Sequence, residues 1–277
     1  MRLVEEQVAL GPRTPGSDPH ERCAALLAER LRAHTDAVIR QSFFVTFRGE
    51  RVSCANIVGI FRATHTAEPA LPPVLLGAHY DTRVRADRED NPDKRALPIA
   101  GANDGGSGTA VLLHLLPRIA QARLSRDVVI AFFDAEDLGN IDGKEFALGS
   151  AWLADHPVGG CAPAEAIVLD MVGGKEMVLD IDAHILAHTP SRRLTTSLFR
   201  IGLDRGWEPF TREKNNKVKY IIADHTPFAR RGVAAAILID IDYPEWHTLA
   251  DLPAAMSARS LAITEEAVWL YLSQQPD

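Results

Sequence analysis

The sequence contains little cysteine, and the cysteines that it has are scattered. Three of its 277 residues are cysteines, Cys23, Cys54 and Cys161, and no two of them are separated by just two residues. That number and spacing exclude a disulfide-stapled scaffold and a structural zinc site built on cysteine pairs. We therefore expect the cysteines to be small residues of the hydrophobic core.

An excess of basic residues is also missing. The chain carries 30 lysine and arginine residues against 37 aspartate and glutamate residues, which gives a net charge of −7. This balance provides no electrostatic basis for binding nucleic acid or an anionic membrane, so we expect neither as a partner.

Long hydrophobic runs are absent as well. No apolar stretch approaches the roughly 20 residues that a membrane-spanning helix needs. Residues 1–16 also lack the basic-then-apolar pattern of a secretory signal. We expect a cytoplasmic protein as the sequence stands, or a periplasmic or secreted one if a signal peptide has been removed.

The remaining composition is typical of a folded protein, with 46% hydrophobic and 24% charged residues. A chain of 277 residues is long enough to bury a sizeable core. The sequence shows no internal repeat, low-complexity tract or interdomain linker. We predict one domain over residues 1–277.

Predicted strands alternate with predicted helices along the chain. Strand-forming stretches occur at 43–47, 56–61, 72–81, 127–133, 164–170, 176–182 and 234–241. Helical patterns occur at 18–34, 109–122, 149–154, 191–206, 225–231 and 258–272. The alternation predicts an α/β fold with a mostly parallel, mixed central sheet and helices on both faces.

Acidic residues and histidines gather where the predicted strands end. The candidate set is His79, Asp81, Asp104, Glu136, Asp137, Asp170 and the late histidine His247. We expect these side chains to converge, because functional groups collect beyond the carboxyl ends of parallel strands. Converging carboxylates repel one another unless a cation neutralises them. Oxygen and imidazole ligands together suit zinc, although manganese or cobalt would also be accepted.

Each of these residues also has an ordinary structural interpretation. Acids at strand ends often cap helices, and isolated histidines are usually surface groups or hydrogen-bonded core groups. We assign seven other histidines to that structural class: His20, His34, His65, His114, His156, His184 and His188.

Five short motifs and their order match a known family. They are AHYD at 78–81, GANDGGSG at 101–108, FFDAED at 132–137, LDMVG at 169–173 and EWHT at 245–248. With RTPGSDPH at 13–20 and DHTPFARRGV at 224–233, the matching segments extend over nearly the whole chain. The sequence resembles the zinc-dependent aminopeptidase and glutaminyl cyclase family.

Within that family, DHTPFARRGV and the Glu-Asp pair of FFDAED look most like bacterial cyclases. The resemblance implies an enzyme that acts on peptide N-termini and converts an N-terminal glutamine to pyroglutamate with loss of ammonia. It also implies one zinc ion bound by Asp104, Asp137 and His247. Aspartate is one methylene shorter than glutamate, so the backbone at Asp137 must lie closer to the ion than the backbone of a glutamate ligand would.

The resemblance assigns the remaining roles as well. Glu136 would move a proton from the substrate α-amine to the departing ammonia. Asp170 and Asp224 would hold and polarise the site, and Trp246 would form part of the pocket for the glutamine side chain.

Two alternatives remain open. In a two-zinc aminopeptidase, His79 and Asp170 would bind a second ion that Asp104 bridges to the first, and Glu136 would deprotonate the attacking water. The second alternative is a catalytically inactive member of the family that is retained as a binding protein. The complete set of acids and histidines argues against it. Three residues near the DHTPFARRGV motif fit either the pocket lining or the surface: Lys217, Lys219 and Tyr220.

Overall fold

The computed structural model of the chain describes residues 1–35, 37–64, 71–160, 162–211 and 218–273. The interpretations of Cys161, His65 and Lys217 lie outside these residues. Cys23 and Cys54 are free and buried, as expected of small core residues.

A six-stranded sheet forms the centre of the described chain. Its strands are β1 (Val38–Phe47), β2 (Glu50–Phe61), β3 (Val74–His79), β4 (Val128–Phe133), β5 (Glu165–Asp170) and β8 (Ala234–Ile239), in the spatial order β1-β2-β4-β3-β5-β8. Strands β4, β3, β5 and β8 run parallel, whereas β1 and β2 form an antiparallel edge. A separate pair consists of β6 (Ile181–Asp182) and β7 (Val218–Lys219). The predicted mixed, mostly parallel sheet is confirmed.

Helices cover both faces of this sheet. They are α1 (Arg2–Val8), α2 (Asp18–Arg32), α3 (Gly106–Gln121), α4 (Leu148–Asp155), α5 (Ala183–Leu186), α6 (Thr189–Asp204), α7 (Thr226–Arg230) and α8 (Ala258–Ser273). One core lies between the sheet and α1, α2, α3, α6 and α8, and the other lies between the sheet and α4 and α7. None of the helices in the described ranges is both long and apolar enough to cross a membrane.

The central strands are apolar on both faces because each contributes to both cores. In β3, Leu76 and Ala78 belong to the core beneath α3, while Leu75 belongs to the core beneath α4 and α7. Every residue of β3 and β4 is buried. This two-sided burial explains why these strands appear in the sequence as continuous apolar runs that end abruptly in polar residues.

The strand predicted at 176–182 is wrong over most of its length. Only Ile181–Asp182 pairs with another strand. The amide groups of Leu179 and Asp180 donate instead to the carbonyl oxygens of Pro209 and Ile239. The segment therefore crosses the end of β8, and its apolar residues pack there without ladder pairing.

The start of α3 packs against the ends of two strands. Gly105, the N-cap residue, has φ 83°, and a Cβ on it would lie 2.5 Å from the carbonyl oxygen of Asp81. A Cβ on Gly108 would lie 2.2 Å from the carbonyl oxygen of Leu169 in β5. The glycines of GANDGGSG thus allow the close approach that places Asp104 beside the strand ends.

We expect Gly108→Ala to lower the free energy of unfolding by about 1–3 kcal/mol, the usual cost of overpacking. The blocking atom belongs to the backbone, so the preference of about 1 kcal/mol for alanine over glycine in a helix does not compensate. Denaturant unfolding measures the change. Gln121→Ala, at an exposed position of the same helix, is the control and should stay within about 0.5 kcal/mol of wild type; equal stability of the two variants would contradict the packing argument.

Candidate metal centre

The residues predicted from the motifs converge at one edge of the sheet. Two groups of three can each hold an ion, and the candidate ligand atoms within each group lie within 4.8 Å of one another. The first group is Asp104, Asp137 and His247, and the second is His79, Asp104 and Asp170. All five residues are buried, and Asp104 belongs to both groups.

The topology of the sheet explains this convergence. His79 ends β3, Asp170 ends β5, Asp137 follows β4 and His247 lies in the segment after β8. These strands are adjacent and parallel, so their carboxyl ends meet at one edge. Asp104 reaches the same place from the loop before α3.

In the first group, His247 presents Nε2 to two carboxylates. This nitrogen lies 3.3 Å from Oδ1 of Asp137 and 3.6 Å from Oδ2 of Asp104. The Oδ2 atoms of Asp104 and Asp137 are buried and accept no hydrogen bond. A buried carboxylate oxygen without a partner is costly, and two carboxylates beside an imidazole nitrogen form a donor set that suits zinc. The residues present therefore fit a bound zinc ion.

In the second group, His79 is oriented in a similar way. Its Nε2 lies 3.2 Å from Oδ1 of Asp104 and 3.3 Å from Oδ1 of Asp170. Its Nδ1 lies 3.2 Å from the carbonyl oxygen of Asp81. A histidine held through one ring nitrogen directs the other toward the carboxylates, as metal-binding histidines do.

Two further aspartates hold the loops that carry the candidate ligands. The carboxylate of Asp81 accepts hydrogen bonds from the amide groups of Glu136, at 3.1 Å, and Asp137, at 3.0 Å. The carboxylate of Asp251 accepts from the amide groups of Asn103, at 2.8 Å, and Asp104, at 3.1 Å. Asp81 was in the candidate set without a role, and Asp251 was not predicted at all.

Three non-glycine residues at the site have left-handed backbone conformations. They are Ala135 (φ 56°), Met171 (φ 46°) and His247 (φ 58°). Each is a site residue or directly adjoins one. Such conformations cost about 1–3 kcal/mol each and cluster at functional sites. Ala135 and Met171 lie just after β4 and β5, where the chain turns at the edge of the sheet.

The carboxyl groups at the site lie close enough to change one another's pKa values. Burial raises the pKa of Glu136 well above its ordinary value, and the neighbouring charges of Asp224 and Asp137 add to that rise. Burial, followed by the charge of Asp104, raises the pKa of Asp137 to about 6. Burial likewise raises the pKa of Asp224 to about 7. Protons or a cation are needed to keep so much carboxylate together.

Asp134, the first acid after β4, has a structural role away from both groups. Its carboxylate accepts from the amide of Ala55 at 2.6 Å and the hydroxyl of Tyr80 at 2.9 Å, and it pairs with Nε2 of His20 at 2.7 Å. His20 is buried. Its expected interpretation as a hydrogen-bonded core histidine agrees with this arrangement.

A cavity of about 280 Å³ opens onto the candidate ligands. It is lined by polar groups that include Glu136 and by apolar side chains that include Phe146, Ile241 and Trp246. Tyr220 lies at its mouth and is 82% exposed. Trp246 thus lies in the wall of this cavity, and its role toward a glutamine side chain stays a prediction. Tyr220 both lines the cavity and lies at the surface.

Two remaining residues lie close to the cavity without lining it. Asp224 is buried, and its Oδ1 accepts no hydrogen bond. Its charge adds to the rise in the pKa of Glu136, and its neighbour Ala223 lines the cavity. Lys219 forms ion pairs with Asp180 at 3.0 Å and Asp242 at 2.6 Å. Its charge is therefore paired outside the cavity.

The chain is similar to known proteins along most of its length. The model of peptidase family M28 matches residues 56–272. Glutaminyl-peptide cyclotransferase from Bos taurus is 26% identical over 271 residues, which cover 87% of this chain and 71% of the bovine protein.

Solved structures resemble the whole fold. The glutaminyl cyclase of Porphyromonas gingivalis matches with a TM-score of 0.88 and 29% identity, covering 99% of this chain and 96% of that chain. A leucine aminopeptidase precursor from Bacteroides thetaiotaomicron matches with a TM-score of 0.87 and 26% identity, over the same shares of the two chains. Similar folds therefore carry both a cyclase and an aminopeptidase name.

The two histidines provide a matched test of which group binds zinc. We expect His247→Gln to weaken zinc binding by more than about 100-fold, because loss of an outer hydrogen-bond partner alone costs about 10–100-fold. We expect His79→Gln to retain a tightly bound ion. Elemental analysis after dialysis against a weak chelator measures the occupancy. Retention of zinc by His247→Gln, or its loss from His79→Gln, would contradict the assignment of the first group.

Proposed function

The chain belongs to peptidase family M28, and on that premise we propose that it is a zinc-dependent glutaminyl-peptide cyclotransferase. Its substrates are peptides with an N-terminal glutamine, which it converts to pyroglutamate with release of ammonia. The observation that carries this proposal is the position of Glu136. Its buried carboxyl lines the same small cavity as Trp246 and the group of Asp104, Asp137 and His247. The similarity to glutaminyl cyclases supports it.

The first group is the proposed zinc site. Asp104, Asp137 and His247 supply two carboxylates and one imidazole, and one ion is expected there. When bound, zinc polarises the γ-carbonyl of the substrate glutamine as a Lewis acid. The buried, unpartnered oxygens of Asp104 and Asp137 support the assignment of these side chains as ligands.

Glu136 is the proposed proton carrier. The α-amine nitrogen of the substrate forms a bond to the carbon of the side-chain amide, and the bond from that carbon to the amide nitrogen breaks. Glu136 accepts the proton that the α-amine loses and donates it to the departing nitrogen, which leaves as ammonia. No water is consumed. Burial raises the pKa of Glu136, and a carboxyl group with a raised pKa is a better acceptor for the proton of the α-amine, which it then donates to the departing nitrogen.

Asp170 and Asp224 are proposed to hold Glu136 in this role. Both carboxyls raise the pKa of Glu136 through their charge. Neither needs to contact the reacting atoms for this effect. They are therefore positioning and polarising groups in the proposal, and the proton transfer itself belongs to Glu136.

The walls of the cavity fit a single flat, short side chain. Trp246 and Phe146 provide aromatic surface, and Ile239 and Ile241 add aliphatic surface. At about 280 Å³ the space is small, so the glutamine side chain would displace the water that competes with the α-amine. The exposed Tyr220 at the mouth leaves room for the rest of the peptide to extend outward.

A two-zinc aminopeptidase is the second candidate function, and one specific observation favours it. Nε2 of His79 lies between the carboxylates of Asp104 and Asp170, so a second ligand group is already assembled. In that enzyme Glu136 would take a proton from the water that attacks the first peptide bond. The similarity to a leucine aminopeptidase precursor supports this alternative.

Replacing Glu136 separates metal binding from proton transfer. We expect Glu136→Gln to retain zinc and to lose about 10²–10⁴-fold in kcat, the usual contribution of general acid and base catalysis. Steady-state kinetics with a Gln-peptide, together with elemental analysis, measures both properties. Glu145→Gln, an exposed position in the loop after the acidic pair, is the control and should retain full activity. Wild-type turnover in Glu136→Gln would sink the assignment.

The proposed reaction is tested with two peptides that differ only in the first residue, one beginning with Gln and one with Leu. We expect the zinc-loaded protein to remove the mass of one ammonia from the Gln-peptide and to leave the Leu-peptide intact, as followed by mass spectrometry. Release of free leucine would overturn the cyclase proposal and favour the aminopeptidase.

A further inference from the structure

The segment of residues 83–89 lies directly against the segment that carries His247. The amide of Arg88 donates to the carbonyl oxygen of His247 at 3.2 Å. The carboxylate of Glu89 accepts from the amide of Leu249 at 3.0 Å. The guanidinium group of Arg88 stacks 4.0 Å from the ring centroid of Trp246. The two segments therefore form one unit at the wall of the cavity.

Within this unit, Asp87 contacts the second ring nitrogen of His247. Its Oδ1 lies 3.2 Å from Nδ1 of that histidine. The negative charge of this carboxylate favours the tautomer that carries hydrogen on Nδ1. The neutral imidazole then keeps its lone pair on Nε2, the nitrogen that faces Asp104 and Asp137.

Arg83 connects Asp87 to the other end of the same ligand group. Its Nη2 donates to Oδ2 of Asp87 at 2.6 Å. Its Nη1 donates to the carbonyl oxygens of Asp137, at 3.0 Å, and Gly139, at 2.9 Å. The same nitrogen lies 3.3 Å from Oδ1 of Asp137, while Oδ2 of Asp137 has no partner. The side chains of Arg83 and Asp137 are 3% and 1% exposed, so the contacts between these two residues are shielded from water.

We propose that the Arg83–Asp87 ion pair is a positioning unit that links two zinc ligands, Asp137 and His247, and sets the affinity of the zinc site. The inference rests on the proposed function, because it takes the first group as the zinc ligands. Asp137 is a short ligand with little freedom to search for the ion. Arg83 binds the backbone carbonyl of Asp137 and also pairs with Asp87, which contacts His247. The pair therefore keeps both ligands at the distance that one ion requires.

Neither member of the pair is a catalytic residue in this proposal. Both act through Asp137 and His247. The competing explanation is that Asp87 only tethers its loop. In that case its loss would reduce thermal stability and leave zinc affinity and ligand geometry unchanged, so zinc affinity and the spectrum of a bound metal distinguish the two explanations.

The test uses Asp87→Asn, which retains the shape of the side chain and removes its charge. Zinc is removed from the folded protein and titrated back in competition with a chromophoric chelator. We expect zinc affinity to fall by about 10–100-fold, the usual effect of removing an outer partner of a metal-binding histidine. The absorption bands of the cobalt-substituted protein are expected to shift, because the ligand geometry around the ion changes.

Two further variants complete the design. Asp90→Asn removes an exposed carboxylate from the same loop and should leave both zinc affinity and the cobalt spectrum unchanged. Asp87→Glu restores the charge and should recover part of the lost affinity; a Glu variant as weak as the Asn variant would overturn the argument.

The outcomes separate this inference from the proposed function. Wild-type zinc affinity and an unchanged cobalt spectrum in Asp87→Asn would overturn the positioning role, and cyclase activity of the wild-type protein would still stand. A wild-type protein that binds no zinc would overturn both.

Discussion

The structure depends on bringing several buried carboxylates together against their mutual repulsion. Asp104, Asp137 and Asp170 lie at the carboxyl ends of adjacent parallel strands or beside them, each within reach of a buried histidine. Burial raises the energetic cost of their charge, and proximity raises it further. A divalent cation offsets both costs at once. Hydrogen bonds around this edge of the sheet hold the loops that carry the carboxylates, and a bound cation would neutralise their charge.

Most of these hydrogen bonds come from backbone amide groups. Asp81 and Asp251 each accept two consecutive amide hydrogens, and in doing so they hold the loops that carry Glu136, Asp137 and Asp104. Each of these aspartates therefore fixes the backbone of two consecutive residues beside the candidate ligands. The candidate ligands on these loops, Asp104 and Asp137, each keep one carboxylate oxygen without a hydrogen-bond partner. One set of aspartates thus supports the loops, and another set, far away in the sequence, offers oxygen atoms to an ion.

The sequence was sufficient to predict the elements with strong periodicity and the residues that occur in recognisable motifs. The buried strands ending at His79 and Asp170, the helix after Asp104 and the convergence of the motif residues agree with the structure. The failures have physical reasons. The apolar run at 176–182 packs across a strand end and does not form a ladder, which periodicity cannot distinguish. Asp87 lies against His247, and Asp251 accepts from the amide of Asp104; both partners are distant along the chain, and a single sequence carries no local signal for such contacts.

The unfolding midpoint of the protein, measured with and without zinc, tests whether a cation offsets the repulsion between the buried carboxylates. Binding of an ion to the folded state alone adds about 4 kcal/mol of stability when free zinc exceeds the dissociation constant about 1,000-fold. We expect a clear rise in the midpoint when zinc is added to the metal-free protein, and a much smaller rise in His247→Gln. An unchanged midpoint in the wild-type protein would show that the carboxylates are stable together without the ion.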